Sequence, residues 1–218
     1  MTNHGITLPE VRFGLGLCVL RGDMWTVGGR DNNVNQLRSC ERLDVAAHTW
    51  VRGPDMATER SHAGVGVLNG EIWIIGGWDS SGGPEGLSSC ERLDAVTGTW
   101  IPGPDTTKPH VNHCVVVLHN ELWVVASDCR STERLDAATD RWVCEPLKIR
   151  RRQHFAAAVF REQLSVVGGR TKVRPYEQEV VRVLRCCIQH MDGRAPLEHR
   201  PFLAQPCCAR WGAVGHRR

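Results

Sequence analysis

One six-residue string occurs three times in this chain of 218 residues and constrains its fold more than any other feature. The string Ser-Cys-Glu-Arg-Leu-Asp at 39–44 recurs at 89–94 and, with Thr in place of Cys, at 131–136. A tryptophan lies six residues beyond the aspartate of each copy: Trp50, Trp100 and Trp142. Repetition at this period is typical of proteins that stack copies of one supersecondary unit. The chain is therefore expected to be a repeat protein.

The repeats can be delimited by a second landmark, a pair of small residues that ends an apolar run ahead of each string. The pairs are Gly28-Gly29, Gly76-Gly77, Ala126-Ser127 and Gly168-Gly169. Counting back from them places the starts of four units at Arg12, Arg60, His110 and Arg152. The sequence therefore predicts a connector at 1–11, repeats at 12–59, 60–109 and 110–151, a degenerate repeat at 152–190, and a basic irregular tail at 191–218.

Each unit has the pattern of four short strands. In the second unit, 63–68 alternates small and apolar residues, Asn69-Gly70 is typical of a tight hairpin, and 71–75 is apolar and β-branched. A third strand is expected around 89–93 and a fourth around 99–101, where Pro102 should stop it. Helical periodicity is absent, so the predicted fold class is all-β.

A four-stranded sheet cannot bury both faces alone, so its copies must stack, and radial stacking gives a β-propeller. The landmarks resemble the kelch repeat: an initial Arg, an apolar strand, a tight turn, an aromatic before Gly-Gly, then Glu-Arg-Leu-Asp and a tryptophan. The resemblance covers 12 to about 185 and implies a kelch-type β-propeller. Kelch propellers usually have six blades. About four are present, so we expect an incomplete ring that is a fragment or variant of a longer kelch protein, or that closes with another chain.

Composition narrows the functional classes. No apolar stretch is long enough to span a bilayer, and the first residues lack a secretory signal. The ten cysteines are then expected to be reduced thiols in a cytoplasmic protein. Acidic residues predominate over 1–147 and basic ones over 148–218, but the basic part lacks the interleaved aromatics of a nucleic-acid site. No membrane and no nucleic acid is expected among the partners.

Catalytic and metal-binding patterns are weak. Copper oxidases with a kelch-like propeller need two tyrosines, and Tyr176 is the one tyrosine in the sequence. Cys40 and Cys90 share a repeat position with Thr132, which favours a structural thiol. His110 and His113 are interpreted as solvated histidines at a loop end. We expect no metal, no cofactor and no enzymatic activity; the alternative is a propeller enzyme acting on a sugar, as an oxidase or epimerase.

Binding residues are predicted from repeat register. By resemblance to kelch-like adaptors, the third residue of each unit points into the bowl around the central channel, and the loops after the second strands lie on the same side. These loops are 30–36, 78–86, 127–130 and 170–175. Trp78 has the large rigid surface of an interface anchor, although covering a neighbouring blade is an equal alternative. The predicted partner-binding residues are Arg30, His62, Trp78, Asp79, Asn112, His154 and Arg170.

The resemblance implies a protein-protein interaction module. Related proteins couple the propeller to a BTB domain in a cullin ubiquitin ligase, which makes the bowl a candidate for substrate recognition by a ligase adaptor that lacks its BTB domain. Actin binding is another role in the family. Open strand edges at the two ends of the ring are expected to allow self-association.

Overall fold

The computed structural model describes residues 6–81, 83–94, 96–126, 132–145 and 153–170. The chain divides into two compact units, Met1–Cys186 and Cys187–Arg218, and the second lies outside the described residues, as does the predicted tail. The described ranges contain strands and no helix. The strands are β1 Gly16–Leu20, β2 Asp23–Val27, β3 Cys40–Asp44, β4 Thr49–Arg52, β5 Gly64–Leu68, β6 Glu71–Ile75, β7 Cys90–Asp94, β8 Thr99–Gly103, β9 Cys114–Leu118, β10 Glu121–Val125, β11 Thr132–Asp136, β12 Arg141–Glu145, β13 Gln153–Phe160 and β14 Gln163–Arg170.

The strands form antiparallel sheets that follow the repeats. Sheets 1, 2 and 3 each contain four strands in chain order, β1 to β4, β5 to β8 and β9 to β12. Sheet 4 is the hairpin β13–β14 within the described residues. The first strands of consecutive sheets contact one another, β1 with β5, β5 with β9 and β9 with β13, and no comparably extensive contact joins sheet 4 to β1. This is the arrangement of consecutive propeller blades, and the ring is not closed.

The second strands of sheets 2 and 3 lie in the interior, as their continuous apolar sequences predict. Four consecutive residues of β6, from Ile72 to Ile75, are buried, and so are the four from Leu122 to Val125 of β10. One apolar cluster joins sheet 1 to sheet 2 and contains Val27, Cys40 and Met56 with Ile72 and Ile74. A second joins sheet 2 to sheet 3. The core therefore lies between successive sheets.

The glutamate of the repeated string holds the first residue of its own repeat. Arg12 donates from Nη2 to Glu41 Oε1 at 2.9 Å, and Arg60 donates to Glu91 Oε1 at 3.0 Å. Arg60 is only 1% exposed and also donates to the backbone oxygens of Gly76 and Ser89. The buried charge is thus paired and hydrogen-bonded, as burial requires.

The other residues of the string have equally regular roles. Its arginine pairs with the acidic residue at the start of the second strand, as Arg92 does with Glu71 at 3.1 Å, and the Arg92 guanidinium lies 5.6 Å from the Trp73 ring centroid. Its leucine packs in the core of sheets 2 and 3, where Leu93 and Leu135 are 2% and 4% exposed, and is half-buried in sheet 1. Its aspartate accepts backbone hydrogen bonds in the following turn, as Asp94 does from Val96 at 2.8 Å.

The glycine pairs allow backbone segments of adjacent sheets to approach closely. Gly28 and Gly76 both have a φ of +62°. A Cβ on Gly28 would lie 2.4 Å from the carbonyl oxygen of Arg60, and one on Gly76 would lie equally close to that of His110. Neither position can hold a larger residue without displacing the next repeat.

The recurring tryptophans also connect one repeat to the next. The indole nitrogen of Trp100 donates to the carbonyl oxygen of Pro54 at 2.9 Å, and that of Trp142 donates to Pro104 at the same distance. Trp142 is buried, whereas Trp50 and Trp100 are half-buried.

The interpretation of His110 and His113 as solvated is wrong. They are 3% and 8% exposed, with ring centroids 5.5 Å apart. His110 occupies the repeat position of Arg12 and Arg60, and its Nε2 lies 2.6 Å from Glu133 Oε1. The histidine thus replaces the usual arginine in the contact with the buried glutamate.

One strand boundary differs from the expectation. β8 continues through Pro102 to Gly103, although Pro102 was expected to stop it. Because β8 is the last strand of its sheet, the missing N–H of Pro102 faces no further strand.

Candidate functional site

The third residue of each repeat has a left-handed backbone. Gly14 has a φ of +60°, His62 of +55°, Asn112 of +50° and His154 of +56°. Asn and His are among the side chains that tolerate this region best, and strained backbone is concentrated at functional sites. The four equivalent positions therefore share one geometry despite their different side chains.

Backbone hydrogen bonds join these positions across the sheets. The N–H of His62 donates to the carbonyl oxygen of Gly14 at 2.7 Å, and the N–H of Asn112 donates to that of His62 at 3.1 Å. Residue three of one sheet is thus placed directly beside residue three of the next. The third positions of the first three repeats therefore form one row, and their orientation into a bowl stays a prediction.

The loops after the second strands of repeats 1 and 2 begin beside the same row. Arg30 exchanges two backbone hydrogen bonds with Phe13, both of 2.9 Å, and Trp78 exchanges two with Ser61, of 2.8 and 2.9 Å. Arg30 and Trp78 therefore occupy equivalent positions, next to residue three of their own repeats. Both side chains are half-buried.

His62 and Trp78 form the most defined side-chain contact of this surface. Their rings meet edge to face, with centroids 5.3 Å apart. The other side of the imidazole covers Gly14, where an added Cβ would lie 2.7 Å from the ring. Burial, and then the positive charge of nearby Arg30, hold the pKa of His62 below its ordinary value. This shift favours the neutral imidazole, and the side chain joins the surfaces of repeats 1 and 2.

Asp79 has a local structural role in its loop. Its carboxylate accepts hydrogen bonds from the backbone N–H and the hydroxyl of Ser81, at 3.1 and 2.5 Å. Asp31, at the equivalent position after Arg30, accepts from the backbone of Asn33 and Asn35, each at 2.8 Å. Asp31 is not among the residues predicted from the sequence, although an aspartate followed by Asn at the second and fourth positions indicates such a turn.

The remaining predicted site residues are less fully defined. The side chains of Asn112 and His154 are exposed, and Arg170 ends β14 opposite Gln153. The loops 127–130 and 171–175 lie outside the described residues. Arg30, His62, Trp78 and Asn112 are thus brought together with Gly14, whereas a binding role for all seven predicted residues stays a prediction.

The Cys40 and Cys90 thiols of repeats 1 and 2 are expected to be unreactive. Cys40 and Cys90 are buried, and burial raises the pKa of Cys40 to about 11 and that of Cys90 to about 12. Among the described residues, no three His, Cys, Asp or Glu side chains are grouped as metal ligands. The same part of the chain contains no helix of the length and apolarity that a membrane span requires.

Comparison with known proteins agrees with the repeat structure. The kelch motif matches residues 12–57 and 59–107, which are the first two predicted repeats within a few residues. A search of curated proteins found no match. The matched segments fold into sheets 1 and 2, and sheet 3 repeats their strand order and the contacts of their glutamates. Residues 12–107 therefore form two kelch repeats, and sheet 3 has the same architecture.

Proposed function

We propose that this protein binds a protein partner on its bowl surface, defined here as Arg30, His62, Trp78, Asp79, Asn112, His154 and Arg170. Kelch repeats are protein-protein interaction modules. The scaffold contacts described above do not involve the side chains of the third positions and the loops, so these side chains can differ between repeats. The observation that supports this surface best is the His62–Trp78 contact beside Arg30.

The chemistry of this surface suits recognition of a protein. Trp and Arg are enriched among the residues that contribute most to binding energy. The backbone row from Gly14 to Asn112 fixes the third positions, so little conformational entropy would be lost on binding. Half-burial of Trp78 leaves part of its ring open to a partner. This surface would suit a partner with a folded acidic or polar segment that contacts Arg30 and the edge of Trp78.

Affinity capture with the full chain tests the proposal. The combined substitution Trp78→Ala and His62→Ala should reduce capture of a specific partner at least about tenfold, since two adjoining contacts are removed. The matched control is Val45→Ala with Val96→Ala, because these exposed residues lie in the turns at the opposite ends of the sheets. Equal capture by the double variant and the control would contradict the proposal.

The identity of the captured protein separates the finer roles. A partner that a cullin ligase ubiquitylates only when this chain is present would identify a substrate adaptor, and filamentous actin would identify an actin-binding protein. Saturable turnover of a sugar that depends on the same residues, with no protein captured, would instead identify an enzyme. A cytoplasmic location stays a prediction from the cysteine content.

A further inference from the structure

Consecutive sheets pack through one repeated geometry. A Cβ on Gly16 of β1 would lie 2.1 Å from Val65 Cγ2 of β5, and a Cβ on Gly64 of β5 would lie 2.4 Å from Val115 Cγ2 of β9. At these two interfaces the first strand of one sheet thus presents a small residue to the following sheet, whose first strand presents a branched residue in return. We call the side of a sheet toward the following sheet its trailing face and the side toward the preceding sheet its leading face.

The leading face of sheet 1 is uncovered by any described residue. Leu17 and Val19 of β1, equivalent to the half-buried Val65 and Val67 of β5, are each 58% exposed. Met24 of β2 is 37% exposed. At its position in the next two sheets, Ile72 and Leu122 are fully buried. Sheet 1 therefore exposes the apolar side chains that sheets 2 and 3 bury against a neighbour.

Trp50 gives a second, independent indication at the same end. Its indole nitrogen is buried and has no hydrogen-bond partner within the described ranges. Trp100 and Trp142, at the same repeat position, donate to Pro54 and Pro104 of the preceding repeat. Trp50 therefore lacks the hydrogen bond to a preceding repeat that its two equivalents form, at the end where sheet 1 has no described neighbour.

The trailing face of sheet 4 is likewise covered by no described residue. Phe160 is 58% exposed, whereas its equivalents Leu20, Leu68 and Leu118 are at most 6% exposed. Val167 is 43% exposed, whereas Val27, Ile75 and Val125 are at most 1% exposed. The small residues Ala156 and Ala158 lie on this face at the positions of Gly64 and Gly66, and they too are exposed.

We propose that the leading face of sheet 1 binds the trailing face of sheet 4 of a second copy of this chain. Inside the chain, Val65 packs on Gly16 and Val115 packs on Gly64, so each contact joins a branched residue to a small one. Leu17 and Ala156 provide the same combination at the two ends. The contact would continue the existing sheet-to-sheet interface through the faces of the sheets rather than through their strand edges.

Such an interface has a definite symmetry. Two leading faces would set branched residues against branched residues, and two trailing faces would set small residues against small ones. The contact is therefore head to tail, and each copy keeps one free face of each kind until the assembly closes. Head-to-tail contacts give closed rings or open chains of copies.

Sedimentation velocity of the full chain over a range of concentrations tests this interface. The wild type should form dimers and larger species. A Leu17→Glu and Val19→Glu variant, and separately an Ala158→Glu variant, should weaken association at least about tenfold, because each places charge in an apolar contact. The control, Val45→Glu with Val96→Glu in exposed turns, should associate as the wild type does.

Mixing the two end variants establishes the symmetry and also shows that both variants fold. Each retains one intact face, so a mixture should form a one-to-one complex that grows no further. A monomeric wild type over the whole range, a mixture that stays monomeric, or dimerisation of the Ala158→Glu variant alone would each overturn the proposal. If the wild type is monomeric and Ala158→Glu lowers its free energy of unfolding, other residues of the same chain cover sheet 4. That result would also overturn the proposal.

Discussion

At the scale of single residues, the repeated string shows what a sequence can predict and what it cannot. Repetition identifies Glu41, Glu91 and Glu133 as structural without naming their partners. The partners, Arg12, Arg60 and His110, lie 23 to 31 residues away, so only the fold reveals the pairing. His110 was misinterpreted for this reason, since the sequence does not show that it replaces an arginine in a buried contact.

The pairing of Arg60 with Glu91 gives a stability prediction. Arg60→Met leaves the Glu91 carboxylate buried without its cation, and it should lower the free energy of unfolding by about 3–5 kcal/mol. Arg52→Met is the matched control, because Arg52 pairs with Asp55 while 65% exposed and should cost at most about 1 kcal/mol. Urea unfolding measures both, and equal small losses would show that the buried pair contributes little.

His113 predicts a dependence of stability on pH. Burial, and then the neighbouring His110, lower its pKa to about 3, although a backbone contact with Ile75 acts in the opposite direction. Below about pH 6.5 His113 binds a proton in the unfolded chain but stays unprotonated in the folded chain. The His113 contribution therefore falls by about 1.4 kcal/mol for each pH unit down to about pH 3.

Replacing His113 should remove this contribution. Leu15 occupies the same repeat position, so His113→Leu is the natural substitution. The variant should lose less stability than the wild type between pH 6.5 and 4.5 in urea unfolding. At pH 8 the histidine is neutral in both states, so the difference there reports packing alone. Parallel pH profiles for the two proteins would refute the assignment.

At the scale of elements, the sequence predicts most of the fold. Alternation and turn residues locate the four strands of repeat 2, and β5, β6 and β7 begin within one residue of the expected positions. β8 was predicted too short because the effect of Pro102 depends on whether its strand has a neighbour on both sides. That is a property of the sheet rather than of the local sequence.

The tryptophans after each string provide an element-scale test. Trp100→Phe removes the hydrogen bond to Pro54 and should cost about 1 kcal/mol beyond the loss of packing. Trp50→Phe changes the same kind of half-buried side chain without removing a hydrogen bond to a described residue, so it should cost less. Thermal unfolding compares them at a protein concentration low enough to keep the chain monomeric. A larger loss for Trp50→Phe would contradict this account of the contact between repeats.

At the scale of the whole molecule, the candidate site was predicted from the position of each residue within its repeat. Counting three residues into each repeat was sufficient to predict that Gly14, His62 and Asn112 line up, because equivalent positions of a repeat share one environment. The contact of His62 with Trp78 could not be predicted, since it depends on the path of a loop. The expected incomplete ring already implied two open ends, but the side chains exposed on sheets 1 and 4 could not be predicted, because exposure depends on what packs against each sheet.

The most direct test of the bowl surface is photo-crosslinking from single positions of the full chain in cells. A benzophenone amino acid placed at His62, Trp78 or His154 should crosslink to one common protein, because these positions are predicted to face the same partner. The same probe at Val96, in a turn at the other end of its sheet, should not. Crosslinks to that protein from position 96 as strong as those from positions 62, 78 and 154 would contradict the account.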